Sequence, residues 1–493
     1  MPTPTRPAVP LALLLAAVAA AAPAARAGEA DRIPITTPSA EARALYVEGR
    51  AFAEALRAND ARPKFEAAIA KDPDFALAHF GLAGVAFGGQ AFFDSVKRAV
   101  ELASKVSSGE RHLILALAAG ARGDREAQGK ELAALRAEYP KDPRALVPTA
   151  NVRFAQQRYE ETVKLYEEVI ALEPTWAFPY NQLGYANRFL GRYDAAERAF
   201  ARYVALVPND PNPPDSLGEL YLKAGKFEQG IASYRKALEI DPAFFSSYVG
   251  IANCELGLGR PAAAREALAK LRALAKNAGD VRTSVFWTAI TWLHEGKPDQ
   301  ALQAFEENLK QSRGAGDLAN HSADLVVAAN IQLHAGKYDA AMKSFEGAVK
   351  AMEQAKVDEQ VKEGVRRNHL FFAGWVAAMR GDLATARRHA DAYRARATAK
   401  GLPFELRRVH ELDGHLALLG KDPARAAAEL REANQNDPYV VTLLARALEG
   451  AGRPAEARAA WREAAGYNEI GFPISWAFVR AEATRREKAL PPS

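Results

Sequence analysis

Apolar residues recur along this chain at helical rather than strand spacing. Between residues 177 and 208, Tyr180, Leu183, Gly184 and Asn187 share one stripe of a helix predicted from about Ala177 to Leu190. Gly191-Arg192 supplies a turn, and a second helix follows in which Ala196, Phe200 and Tyr203 recur at i, i+4 and i+7 until Pro208 stops it. Small residues at 184 and 196 suit two helices in close approach, with Phe200 filling the space beside them. Neither helix can bury its apolar stripe alone, so the pair must stack on copies of itself.

The copies are visible. Pro140, Pro174, Pro208 and Pro242 are each 34 residues apart, and the same step links Gly191, Gly225 and Gly259. It also links Leu183, Leu217 and Ile251; Gly184, Gly218 and Ala252; Tyr166, Phe200 and Tyr234; and Tyr159, Tyr193 and Phe227. Looser units surround this core. Gly49, Ala61, Phe65, Ala68 and Asp72-Pro73 form an early one, followed by Gly123, Leu132 and Tyr139-Pro140. Later come Gly296 with Ala301 and Phe305, Gly336 with Ala341 and Phe345, Gly381 with Ala386, and Gly452 with Ala457 and Trp461.

These residues resemble the tetratricopeptide-repeat family, specifically over 143–275 and more loosely over about 40–470. The resemblance implies an all-α fold: a right-handed superhelical solenoid of about twelve antiparallel helix pairs with a C-terminal capping helix. The expected order is a signal peptide (1–27), an extended lead-in (28–39), a regular array (40–275), an irregular, longer-period array (276–471), and a capping helix and tail (472–493). The step between turn glycines grows to 40 from Gly296 to Gly336 and 45 from Gly336 to Gly381, so longer helices or inserted turns are expected there. The array is either continuous or broken near 276–285, where Lys276-Asn277-Ala278-Gly279-Asp280 resembles a hinge. In the last helix Trp476, Phe478 and Val479 are expected to cover the final pair, with Arg480, Arg485, Arg486 and Lys488 in water.

The first 27 residues read as an address. Arg6 precedes the apolar run Ala8–Ala25, and Ala25-Arg26-Ala27 fits the small-x-small pattern of signal-peptidase cleavage. A periplasmic or secreted location follows, the alternative being a retained N-terminal membrane anchor. No later stretch suits a membrane span. The 65 basic and 60 acidic side chains are too evenly balanced for a nucleic-acid partner.

Chemistry is sparse. Cys254 is the only cysteine, which excludes an intramolecular disulfide and thiolate metal sites; it falls on the packed side of a first helix, as a small hydrophobe. His410 and His415 are five residues apart, about 500° of helical rotation instead of the about 400° that two ligands of one metal need. The Gly-Lys pairs at 225, 296 and 336 lack the Ser or Thr of a phosphate-binding loop. No catalytic residue, metal or cofactor is assigned.

In the family the first helix of each pair lines the concave face, where peptides dock. The resemblance maps that face onto Asn151, Phe154, Asn181, Tyr185, Arg188 and Phe189, then Asp215, Glu219, Lys223 and Asn253. Amides there can pair with a ligand backbone, and aromatics beside Arg188 can anchor it. A bland alternative is that these are solvated polar residues with aromatics tucked into neighbouring packing. Asn151, Gln182 and Ser216 do not meet the carboxylate-gripping pattern of chaperone-binding members. A second candidate surface comprises Asn330, Phe371, Trp375 and His410, although the apolar run Phe371-Phe372-Ala373-Gly374-Trp375 equally reads as helix core. The expected function is a non-catalytic scaffold for a protein or peptide of the cell envelope. The alternatives are a carbohydrate- or small-ligand-binding solenoid using Trp287, Trp292 or Trp375, although Trp292 falls on the core stripe, and an enzyme or enzyme subunit using 280–470.

Overall fold

The structure, a computed structural model, describes residues 31–55, 57–86, 89–468, 470–471 and 473–489. The expected signal peptide lies outside the described residues. Contacts divide the chain into two compact units at the Gly191 turn, up to Arg192 and from Tyr193.

In the first unit the described helices begin with α1 (Ala40–Glu54), α2 (Ala58–Lys71), α3 (Ala76–Gly84) and α4 (Gly89–Leu102). They continue with α5 (Ser108–Ala121), α6 (Arg125–Glu138), α7 (Pro143–Ala155), α8 (Tyr159–Leu172) and α9 (Ala177–Phe189). The second unit opens with α10 (Tyr193–Leu206), α11 (Asn212–Lys223), α12 (Phe227–Ile240), α13 (Phe245–Gly257) and α14 (Pro261–Ala273). Then come α15 (Ala278–His294), α16 (Pro298–Gly314), α17 (Leu318–His334), α18 (Tyr338–Gln354), α19 (Glu359–Met379) and α20 (Leu383–Lys400). The last are α21 (Pro403–Leu419), α22 (Pro423–Glu432), α23 (Pro438–Gly450), α24 (Pro454–Ala465) and α25 (Pro473–Ala489). No strand occurs among the described residues. The order is that of twelve successive pairs and a final helix, as the repeat implied.

Each pair closes as its sequence dictates. The turn glycines at 191, 225, 259, 296, 336, 381 and 452 have φ between 71° and 81°, the left-handed region that ends a helix without a β-carbon clash. In the second helices the repeat aromatics Phe65, Tyr166, Phe200, Tyr234, Phe305, Phe345 and Trp461 are all fully buried. Alanines one turn before them, among them Ala61, Ala196, Ala301, Ala341 and Ala457, let the partner helix approach and are also buried.

The longer period has a simple source. Helices α15 to α18 have 17 residues each and α19 has 21, against 13 or 14 in α7 to α10. That difference is about one extra turn per helix. The chain does not open at 276–285: α15 packs on both α14 and α13.

Each unit is tied to itself by a terminal segment. In the first, the extended lead-in crosses the junctions between pairs. The Ile33 amide donates to Asp142 Oδ2 at 2.7 Å, Thr36 donates through N and Oγ1 to Glu110, and Thr37 Oγ1 donates to Asp72 at 2.6 Å. Arg32 pairs with Glu173, and Trp176 Nε1 donates to Glu54 of α1 at 2.8 Å.

In the second unit α25 covers α23 and α24, as expected, but also reaches back to α15 and α17. Trp476 and Val479 are buried, and Arg485, Arg486 and Lys488 are exposed. Arg480 departs from expectation. Instead of facing water it covers the Trp476 ring and donates to the carbonyls of Leu256 and Gly257, at 3.3 and 3.1 Å, at the end of α13. The Leu256 carbonyl already accepts the Gly259 amide at 3.0 Å, so the guanidinium adds a second, charged donor to the C-terminal end of α13.

Candidate functional site

The inner-face residues divide between the two units. In the first, α7, α8 and α9 bring Phe154, Tyr159 and Phe189 into one aromatic cluster. Tyr159 and Phe189 stack at 4.8 Å with rings 10° apart, and Phe154 meets both edge-on. Arg188 lies 5.2 Å above the Phe189 ring and 5.7 Å from Tyr185. Phe189 is nevertheless 42% exposed. Asn151 is exposed and accepts the Tyr166 hydroxyl through Oδ1.

Asn181 breaks the pattern: it is fully buried and presents no open surface, with neither side-chain amide atom hydrogen-bonded among the described residues. Two residues of the second unit depart in the same way. Asp215 on α11 is 4% exposed and accepts Ser247 Oγ of α13 at 2.6 Å, while Asn253 is 1% exposed and donates to Val249 within its own helix. The reason is that adjacent first helices, here α11 and α13, touch directly, so a position mapped to the inner face closes over where they meet. Burial and the neighbouring Glu219 push the Asp215 carboxyl up to about 7. Glu219 and Lys223 stay half-buried. Lys223 points its Nζ at the Tyr467 ring, 5.8 Å away, beside a cavity of about 270 Å³ lined also by Tyr193, Gln435, Asn436 and Arg462.

Of the second candidate surface, Phe371 and Trp375 are buried, 1% and 6% exposed, within a packed cluster, and Asn330 is half-buried. Asn330, Phe371 and Trp375 line a cavity of about 440 Å³ in the second unit, bounded by α15, α17, α19 and α21 and by the start of α25. Four residues of α19 at helical spacing, Asn368, Phe371, Phe372 and Trp375, form one wall. The stripe of Phe404, Arg408 and Glu411 on α21 forms another. Burial raises Glu411 to about 8, with Asp437 adding to the effect, and Asp437 itself rises to about 6. His334, also in the lining, is held down at about 4 by burial.

His410 does not belong to this cavity. It pairs with Glu429 of α22 at 2.9 Å, whereas His415 is buried against Trp375, so the two histidines diverge. No group of three or more potential metal ligands exists among the described residues, and no described helix is long and apolar enough to cross a membrane. Trp287 is buried, and Trp292 is half-buried against the same core with Arg265 over its ring at 4.0 Å. Arg408 and Glu411 are not marked by any motif in the sequence. The i, i+4, i+7 spacing of 404, 408 and 411 was the available signal.

A family model described as tetratricopeptide repeat matches residues 221–283, and a second of the same description matches 46–103 and 149–211. The chain is a tetratricopeptide-repeat protein. The matched segments take in α1–α4, α7–α10 and α12–α14. Among curated proteins, this repeat chain is 25% identical over 103 residues to anaphase-promoting complex subunit 3 of Schizosaccharomyces pombe, covering 21% of this chain and 16% of that one. It is 26% identical over 141 residues to the CTR9 homolog of Arabidopsis thaliana, covering 29% and 13%. The match thus spans less than a fifth of either relative. Among solved structures, a tetratricopeptide repeat protein from Parabacteroides merdae is similar with 14% identity and TM-score 0.39, over 53% of this chain and 99% of that one. MamA of Desulfovibrio magneticus is similar with 20% identity and TM-score 0.31, over 34% and 95%.

Proposed function

We propose that this repeat protein is exported and works as a non-catalytic scaffold, taking a protein or peptide of the cell envelope on the first-helix faces of its repeats. The observation that carries the reading is the Phe154–Tyr159–Phe189 cluster with Arg188 above it. An aromatic ring left 42% exposed beside a guanidinium is the kind of anchor that dominates protein interfaces. The location rests on the Arg6, Ala8–Ala25 and Ala25-Arg26-Ala27 pattern. The even balance of charge argues against nucleic acid as the partner. One relative is by name the subunit of a complex, in keeping with a scaffold.

The test is capture of a crosslinked partner from envelope extract by the full chain and by a chain carrying Phe189→Ala and Arg188→Ala, both checked for helicity. A partner caught by the first and lost by the second supports the reading and locates the contact. Equal capture by both moves the contact elsewhere, and no capture with good recovery of the bait counts against a scaffold.

A further inference from the structure

The cavity between α19 and α21 carries two ionisable side chains that no ion pair engages among the described residues. Arg408 lies flat over the Phe371 ring at 3.6 Å and donates from Nη1 to Asn368 Oδ1 at 2.6 Å. Glu411, Glu405 and Asp437 act on it electrostatically, but among the described residues none forms an ion pair with it; Glu405 is engaged instead by Arg367 at 2.9 Å. One turn further along α21, Glu411 is 8% exposed, and no hydrogen bond or ion pair engages its carboxyl among the described residues. Both line the same space, roofed by the rings of Phe286, Phe371, Phe372, Trp375 and Phe404.

Arg408 is half-buried, with Glu405, Glu411 and Asp437 acting on it but none in an ion pair with it, and a guanidinium so placed is costly to bury further unless something pairs with it. Arginine fixed in this way presents a planar fork that fits a carboxylate. The remaining wall is aromatic, and about 440 Å³ is at the small end of the size range of ligand sites. We propose that this cavity binds a small carboxylic acid with an aromatic or bulky apolar body, its carboxylate on Arg408 and Glu411 and its body between the rings. Glu411, held protonated near neutral pH by burial, donates its O–H to the ligand carboxylate rather than repelling it. The site is independent of the Phe189 surface, because it belongs to the second unit and uses other helices.

The ligand carboxylate has two possible sources, a free acid or the terminal residue of a peptide. Calorimetric titration of the full chain with 3-phenylpropanoate and 3-phenylpropanamide tests the shared chemistry without any substitution. A parallel titration with a short peptide ending in Phe, free or amidated, distinguishes the sources. The acid, or the free peptide, is expected to bind at least about tenfold more tightly than its amide. Arg408→Gln is expected to remove that preference while leaving the helical signal intact. Binding by the peptide alone assigns the site to a chain terminus and keeps the proposal. Equal binding of acid and amide, no binding by either carboxylate, or a carboxylate preference that survives Arg408→Gln in a folded protein would overturn it. Should Arg408→Gln fail to fold, the acid-versus-amide comparison still decides.

Discussion

The ring of Tyr234 is wedged between Gly218 on α11 and Gly250 on α13. A β-carbon at 218 would fall 2.8 Å from its Cδ1, and one at 250 would lie closer still to Cζ. The ring therefore stacks one repeat on the next only because both positions lack a side chain. Gly→Ala in a helix interior ordinarily stabilises by about 1 kcal/mol. Here the clash is expected to reverse the sign, with Gly250→Ala destabilising by about 1–3 kcal/mol in denaturant unfolding. A gain in stability would show that Tyr234 has room to move.

Some pair turns among the described residues lack the glycine. Gln157 and Lys421 take φ of 60° and 61° where other repeats place glycine. Left-handed backbone costs a residue with a β-carbon about 1–2 kcal/mol, partly offset by the greater freedom of an unfolded glycine. Gln157→Gly and Lys421→Gly are each expected to stabilise by about 0.5–1 kcal/mol, read as a rise in denaturation midpoint.

Buried ionisable groups give opposing pH limbs. Burial depresses His294 to about 3 and both His334 and His415 to about 4, from an unperturbed 6.5. The unfolded chain takes up these protons first, so stability falls as pH drops from 6.5 towards 4. Glu411 works the other way. The folded carboxyl holds its proton to about 8 and the unfolded one releases it near 4.5, so its contribution falls as pH rises between those values. Unfolding curves should show His334→Phe flattening the acid limb and Glu411→Gln gaining stability at about pH 9 but little below about pH 4.5.

Arg480 links helices more than two hundred residues apart through two carbonyls of α13. Arg480→Ala is expected to cost about 1.5–3 kcal/mol, as charged hydrogen bonds do. Hydrogen exchange should quicken at the end of α13 and along α25. Protection unchanged at both places would mean that the aromatic contacts of α25 suffice.

Cys254 is buried, and its thiol is pushed up to about 12 by burial, with Glu255 and Glu228 adding to it. It should react with an aromatic disulfide reagent only at the rate of local opening, and at once in denaturant. Fast labelling of the folded chain would contradict the burial.

Much of this was legible along the chain. The step of 34 residues placed the pairs, the turn glycines, and the buried aromatics from Phe65 to Trp461, because each depends on contacts within a pair or between neighbouring pairs. The aromatic cluster of Phe154 and Phe189 was also foreseeable, since Phe189 follows Arg188, the residue one repeat on from Phe154. The burial of Asn181, Asp215 and Asn253 was not. Whether an inner-face position remains open depends on how closely successive first helices lean together, a small rotation that no residue type announces.

By itself, then, the sequence determined the helices, their pairing and the lengthening of the period after α14, through spacing that acts over one or two repeats. Only the tertiary structure decided which distant repeats meet. It bound residues 33–37 to Asp142, Glu110 and Asp72, brought α25 back to α13, and turned stripes of α15, α17, α19 and α21 into one cavity. The physical reason is accumulation. Each repeat contributes a slight turn of the stack, and the sum over several repeats sets which surfaces come together.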